Sequence, residues 1–154
     1  MLKPSLKYPK QVGLLVVAAM LGLLAARPLF VPRLPHGTDT LTHFYTLIQL
    51  NHLLQHGIFY SRWLPYRASG FGVPLFQYYV PLAYYVAQGF SLLGLEALLA
   101  LRLAWGLALV GGALGVYLWL RDTLDEGSAL VAVATYVCGP YVLFTSGLGH
   151  TLLS

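Results

Sequence analysis

Seven polar side chains, Asp39, Thr42, His43, Thr46, Gln49, His52 and His56, recur every three or four residues. That period places them on one side of a helix. Asp39 stands first, the leading candidate for chemistry, where the positive end of the helix dipole lowers the cost of keeping its carboxylate ionised. His43, one turn later, is the second catalytic candidate and equally a polar contact at an interface. The plain alternative for Asp39 is a helix N-cap, worth about 1 kcal/mol. His52 and His56 share the i, i+4 spacing of a metal pair, but that spacing alone is a weak signal. Magnesium wants one or two carboxylates plus phosphates, and the loop offers one. No metal and no cofactor is expected.

A second group follows Gly57: Arg62, Trp63, Tyr66 and Arg67. Arginine makes charge-assisted contacts with phosphate oxygens, so Arg62 or Arg67 could bind a lipid phosphate. Trp63 and Tyr66 suit the headgroup layer, where amphipathic rings settle. Simple anchoring is the competing explanation for the same four residues.

The elements that must hold these groups are membrane helices. Of the 154 residues, 58% are hydrophobic and only 9% charged, and mean hydropathy is +0.70. A soluble domain carries about a quarter charged residues. Apolar runs extend over Val12 to Phe30, Val73 to Leu95, Ala97 to Leu120 and Ser128 to Ser146; about 20 such residues cross a bilayer as a helix. The net charge of +4 comes from scattered basic residues, which argues against a nucleic-acid partner. Lys3, Lys7 and Lys10 precede the first run, so the positive-inside rule puts the N-terminus in the cytoplasm and the loop outside. The first run is too long for the apolar core of a signal peptide and reads as an uncleaved helix. Cys138 is the single cysteine, which leaves no disulfide framework.

The expected fold is an all-α integral membrane domain. Three to four transmembrane helices carry an extracytoplasmic loop with an amphipathic interfacial helix. The segments are a cytoplasmic tail over 1–10, a first span over 11–31, the outer loop over 32–74, an interfacial or spanning helix over 75–95, and spans over 97–120 and 128–147. Within the loop, Gly37-Thr38-Asp39 signals a helix start and Gly57 a stop. Leu41, Phe44, Leu47, Ile48 and Leu54 form its apolar side, for lipid, and the polar side faces water or a cavity. Pro81 interrupts the 75–95 run. Arg121 favours a cytoplasmic loop after the third run, hence three spans plus an interfacial helix. Gly106, Gly111, Gly112 and Gly115 offer faces for close helix packing. Arg102 lies near the start of its run and reads as snorkelling to an interface. Gly139-Pro140 marks a kink or a widened cavity.

The loop GTDTLTHFYTLIQLNHLLQHGIFYSRWLPYRASGFGVPLFQYYVPLAYY after a first helix resembles the N-terminal part of GT-C-type membrane glycosyltransferases. It is most similar to bacterial multi-pass 6-pyruvoyl-tetrahydropterin synthase-related membrane proteins. Arg62-Trp63-Leu64-Pro65, Gly70 to Phe76 and Tyr78-Tyr79 carry it most specifically, and it extends from the first helix through Ser146. The resemblance implies sugar transfer from a polyprenyl-phosphate donor outside the inner membrane, with Asp39 as general base or acceptor-orienting group. It also implies a second acidic residue in the next outer loop. Residues 147–154 supply only His150, so the chain reads as the N-terminal part of a longer protein, inactive by itself. A transporter and a non-catalytic membrane protein are the rival readings.

Overall fold

The computed structural model describes residues 7–30, 40–139 and 142. Among the described residues six α-helices form: α1 (Lys7–Ala26), α2 (Thr40–Gln55), α3 (Leu75–Tyr78), α4 (Leu82–Leu92), α5 (Ala97–Leu120) and α6 (Glu126–Val137). The described residues contain no strand, only one isolated antiparallel bridge between Leu64 and Val73. The chain divides into two compact units, Met1–Gly37 with Gly106–Ser154, and Thr38–Trp105. Residues 31–39, Asp39 among them, the tail 1–6 and His150 lie outside the described residues.

Among the described residues two helices are long and apolar enough to cross a membrane, Lys10–Phe30 and Ala97–Leu120. The first continues α1 through a 3-10 turn over Arg27–Phe30. α6, apolar but shorter, covers the first part of the expected 128–147 span; beyond Gly139 only Val142 is described. The 75–95 run is not one helix. It breaks at Tyr79, which is extended, and restarts after Pro81, which lacks the amide that a continuing helix requires. α4 has 11 residues, about 16 Å of rise against a hydrocarbon core of about 30 Å.

In the unit built from α1, the second half of α5 and α6, contact is made through small residues. A Cβ built on Gly22 would lie 2.8 Å from the Val110 α-carbon and 3.2 Å from the Ala113 Cβ. Gly106 faces Ala26 and Phe30, and Gly112 faces Tyr136. Gly111 and Gly115 meet nothing within 4 Å, so only two of the four expected glycines serve the packing. Ala18, Ala113, Tyr117, Ala129, Val133 and Val137 are buried around this seam. Val16, Met20, Leu23 and Leu24 of α1 remain exposed, as a lipid-facing surface does. The contact order, Phe30 with Gly106 and Gly22 with Val110, makes α1 and α5 antiparallel here. Lys10 Nζ lies 2.5 Å from Glu126 Oε2, so α6 starts beside the start of α1 and runs back along it.

Asp125 caps α6, accepting from the Ser128 hydroxyl at 2.6 Å and the Ser128 amide at 2.9 Å. The hydroxyl bond first, then the amide, holds the carboxyl below the usual aspartate range. A lowered folded pKa gives a contribution present above the unfolded value and lost as pH falls through the folded one. The Ser128 amide resonance is therefore expected to titrate with a midpoint below that of free aspartate, about 3.9. Asp125→Asn, which caps equally well without ionising, should abolish that titration.

The other unit packs α2, α4 and the first part of α5 around Leu47, Leu50, Leu53, Leu64, Phe76, Tyr84, Ala87, Leu101 and Ala104. The C-terminal ends of α2 and α4 are closed by glycine in the left-handed region. Ile58 N–H donates to Leu53 and Gly57 N–H to Leu54, with Gly57 at φ 77°. Leu95 to Phe90 and Gly94 to Ser91 repeat the arrangement, with Gly94 at φ 89°. These paired bonds satisfy carbonyls that the last helical turn leaves free.

Candidate functional site

The burial of α2 departs from a simple split into apolar and polar sides. Leu47, Leu50 and Leu53 are buried, but so are Thr46 and Gln49, whereas Leu41 is 55% and Ile48 41% exposed. Part of the polar ridge therefore faces into the unit while two of the expected apolar residues face out. Thr46 satisfies its hydroxyl on the Thr42 carbonyl at 2.7 Å, a local bond that lets threonine sit in a buried helix face.

His43 is on this ridge. Its Nδ1 lies 2.7 Å from the Tyr84 hydroxyl of α4, and its ring meets Trp105 edge-on at a centroid distance of 5.7 Å. Eight residues on, Asn51 Oδ1 accepts from Gln88 Nε2 at 2.8 Å. Gln49 and Gln88 are 8% and 3% exposed, and among the described residues neither Oε1 has a hydrogen-bond partner. A buried amide oxygen left in this state is costly and suits a ligand or water that donates.

The second group occupies the hairpin after α2. Leu64 and Val73 exchange both backbone bonds, at 2.9 and 3.0 Å. The turn between them places Ala68, Ser69, Gly70 and Gly72 at positive φ, a conformation that disfavours the two with side chains. Trp63 lies flat on Gly72: a Cβ there would be 2.3 Å from Trp63 Nε1. Gly72→Ala is thus expected to expel the indole and open the hairpin, visible as a red shift in emission that Ala68→Gly does not produce. Tyr66 Oη is 3.1 Å from His52 Nε2, and Tyr85 donates to the Phe59 carbonyl, tying the hairpin to α2 and α4. Burial, then the charge of Tyr60, raises the Tyr85 phenol above its usual range, which keeps it a donor.

Arg62 is exposed and Arg67 half-buried. No Asp or Glu occurs anywhere from Thr40 to Leu95, so no carboxylate of that segment competes with an external anion. Phe59, Tyr60, Trp63, Tyr66, Phe71, Tyr78 and Tyr79 are all exposed around them, Phe71 by 85%. Arg102, on α5, is half-buried.

The expected site residues thus form two sets and not one. His43 belongs to the first turns of α2, whereas Tyr66 touches it at His52, nine residues or about 13 Å along the axis. Sequence reasoning missed Tyr84, the partner of His43, because a tyrosine in an apolar run has no signal of its own. It also missed the hydrogen bond between Tyr66 and His52, which only the hairpin creates. Among the described residues no three His, Cys, Asp or Glu side chains cluster. No family model, curated protein or solved structure matches this chain.

Proposed function

We propose that this chain is the N-terminal part of a GT-C-like membrane glycosyltransferase that transfers a sugar from a polyprenyl-phosphate donor on the outer side of the inner membrane. The observation that carries the reading is the inward polar ridge of α2. Thr46 and Gln49 are buried and His43 bonds to Tyr84, while Leu41 and Ile48 of the same helix are exposed. Such a helix suits lipid on its outer side and a hydroxyl-rich substrate within. Asp39 directly precedes it, in the place where the resemblance expects the general base.

The topology fits three spans plus an interfacial segment. α1 and α5 run antiparallel, and the Lys10–Glu126 pair brings the loop over 121–125 to the N-terminal end of α1. With a cytoplasmic N-terminus, residues 31–96 leave and re-enter at the outer face. α6 then starts a third crossing. Arg62 and Arg67 are assigned to lipid phosphate, with Trp63 and Tyr66 at headgroup level.

The roughly 13 Å along α2 between the two sets favours a second reading for the hairpin alone. It anchors the segment in the headgroups and takes no part in the chemistry. The test is sugar transfer by the full-length protein in vesicles from a radiolabelled polyprenyl-phosphate donor to a water-soluble acceptor. Transfer is expected, and to depend on Arg62 and Arg67 only under the first reading. Failure across sugar donors removes the enzyme class.

A further inference from the structure

We infer that the C-terminal end of α2 and the aromatic hairpin together form a zinc-class metal site of His52, His56 and Tyr66. Three observations converge. His52 lies on the last turn of α2 and His56 one residue past its end, four apart with ring centroids 4.2 Å apart, the spacing that presents two imidazoles to one ion. Tyr66 Oη lies 3.1 Å from His52 Nε2. Two ligands of a tetrahedral zinc ion, each at about 2.0–2.1 Å, stand about 3.3 Å apart. The present separation therefore matches a chelating pair with little rearrangement.

The third observation concerns His56. Its Nδ1 lies 2.8 Å from the His52 carbonyl, and a carbonyl only accepts, so Nδ1 carries the proton. Nε2 then holds the lone pair, which is the arrangement that orients metal-bound histidines through a backbone acceptor. The carbonyl end of a helix also favours a cation. Two imidazoles and a phenol select a borderline transition ion over magnesium or calcium, which prefer carboxylate and carbonyl oxygens. Water completes the fourth position. The ion staples the hairpin, and with it Trp63 and Arg67, to the end of α2; it takes no part in sugar transfer.

The site is independent of the glycosyltransferase reading, and its test needs no turnover. The full chain, purified without a polyhistidine tag, is titrated calorimetrically with zinc chloride and, separately, magnesium chloride. One zinc ion per chain is expected, and no saturable magnesium binding. His52→Ala and His56→Ala should each weaken zinc binding by about tenfold or more, and Tyr66→Phe by a smaller factor. Should His52→Ala fail to fold, the exposed His56 carries the test alone. Zinc affinity unchanged in His56→Ala, or equal affinity for magnesium, overturns the proposal. Unchanged affinity in Tyr66→Phe removes the hairpin from the site and overturns it as stated.

Discussion

Under the proposed glycosyltransferase reading, Asp39→Asn in the full-length protein is expected to lower sugar transfer by roughly two to four orders of magnitude, the usual contribution of a positioned general base. The substitution separates the two roles available to this residue. Asparagine caps a helix about as well as aspartate, so α2 and the overall stability should be unchanged. It cannot accept the proton of an acceptor hydroxyl. A variant with intact helicity and intact transfer would leave Asp39 as a cap only. His43→Gln adds resolution. Glutamine can still bond to Tyr84, so a loss of transfer here with unaltered stability points to the imidazole itself.

Gly22→Leu should produce the largest change in stability. Lipid is as apolar as leucine, so helices in a bilayer associate through close packing more than through water exclusion. At Gly22 the opposing atoms are backbone, the Val110 α-carbon and the Leu109 carbonyl at 2.8 and 3.2 Å from a built Cβ. They cannot rotate away as a side-chain tip does. Overpacking costs about 1–3 kcal/mol in general, and the upper end applies where helix backbones must separate. Gly115→Leu provides the comparison, since nothing lies within 4 Å of that position. Unfolding titrations in mixed micelles should show a lower midpoint for Gly22→Leu and little change for Gly115→Leu. Equal midpoints would show that the α1–α5 seam is not held at Gly22.

Hydropathy alone locates α5 to the residue and α1 to within about five residues at each end, because about 20 uninterrupted apolar positions leave few alternatives. The Gly57 stop was equally legible, since the left-handed closure suits a residue without Cβ. Where two faces compete, sequence is less informative. The polar spacing of α2 is plain, but whether Gln49 or Ile48 turns inward depends on what Tyr84, Gln88 and Trp105 offer from elsewhere in the chain. Among the glycines, composition favoured the cluster in α5, yet Gly22 in α1 is the one whose built Cβ would come within 3.0 Å of backbone, at the Val110 α-carbon. Trp63 on Gly72 and Tyr66 on His52 depend on a turn through four residues of positive φ, which no local pattern announces.

The antiparallel seam also has a consequence for biogenesis. From Gly22 to Val110 is about 90 residues, and at roughly 5–20 residues per second the ribosome needs about 5–20 s to make them. Under the proposed membrane topology, Gly22 has no Val110 to pack against for that interval, and acyl chains or an insertase would cover it. Newly made chains arrested before Val110 should therefore be degraded faster than chains released after it.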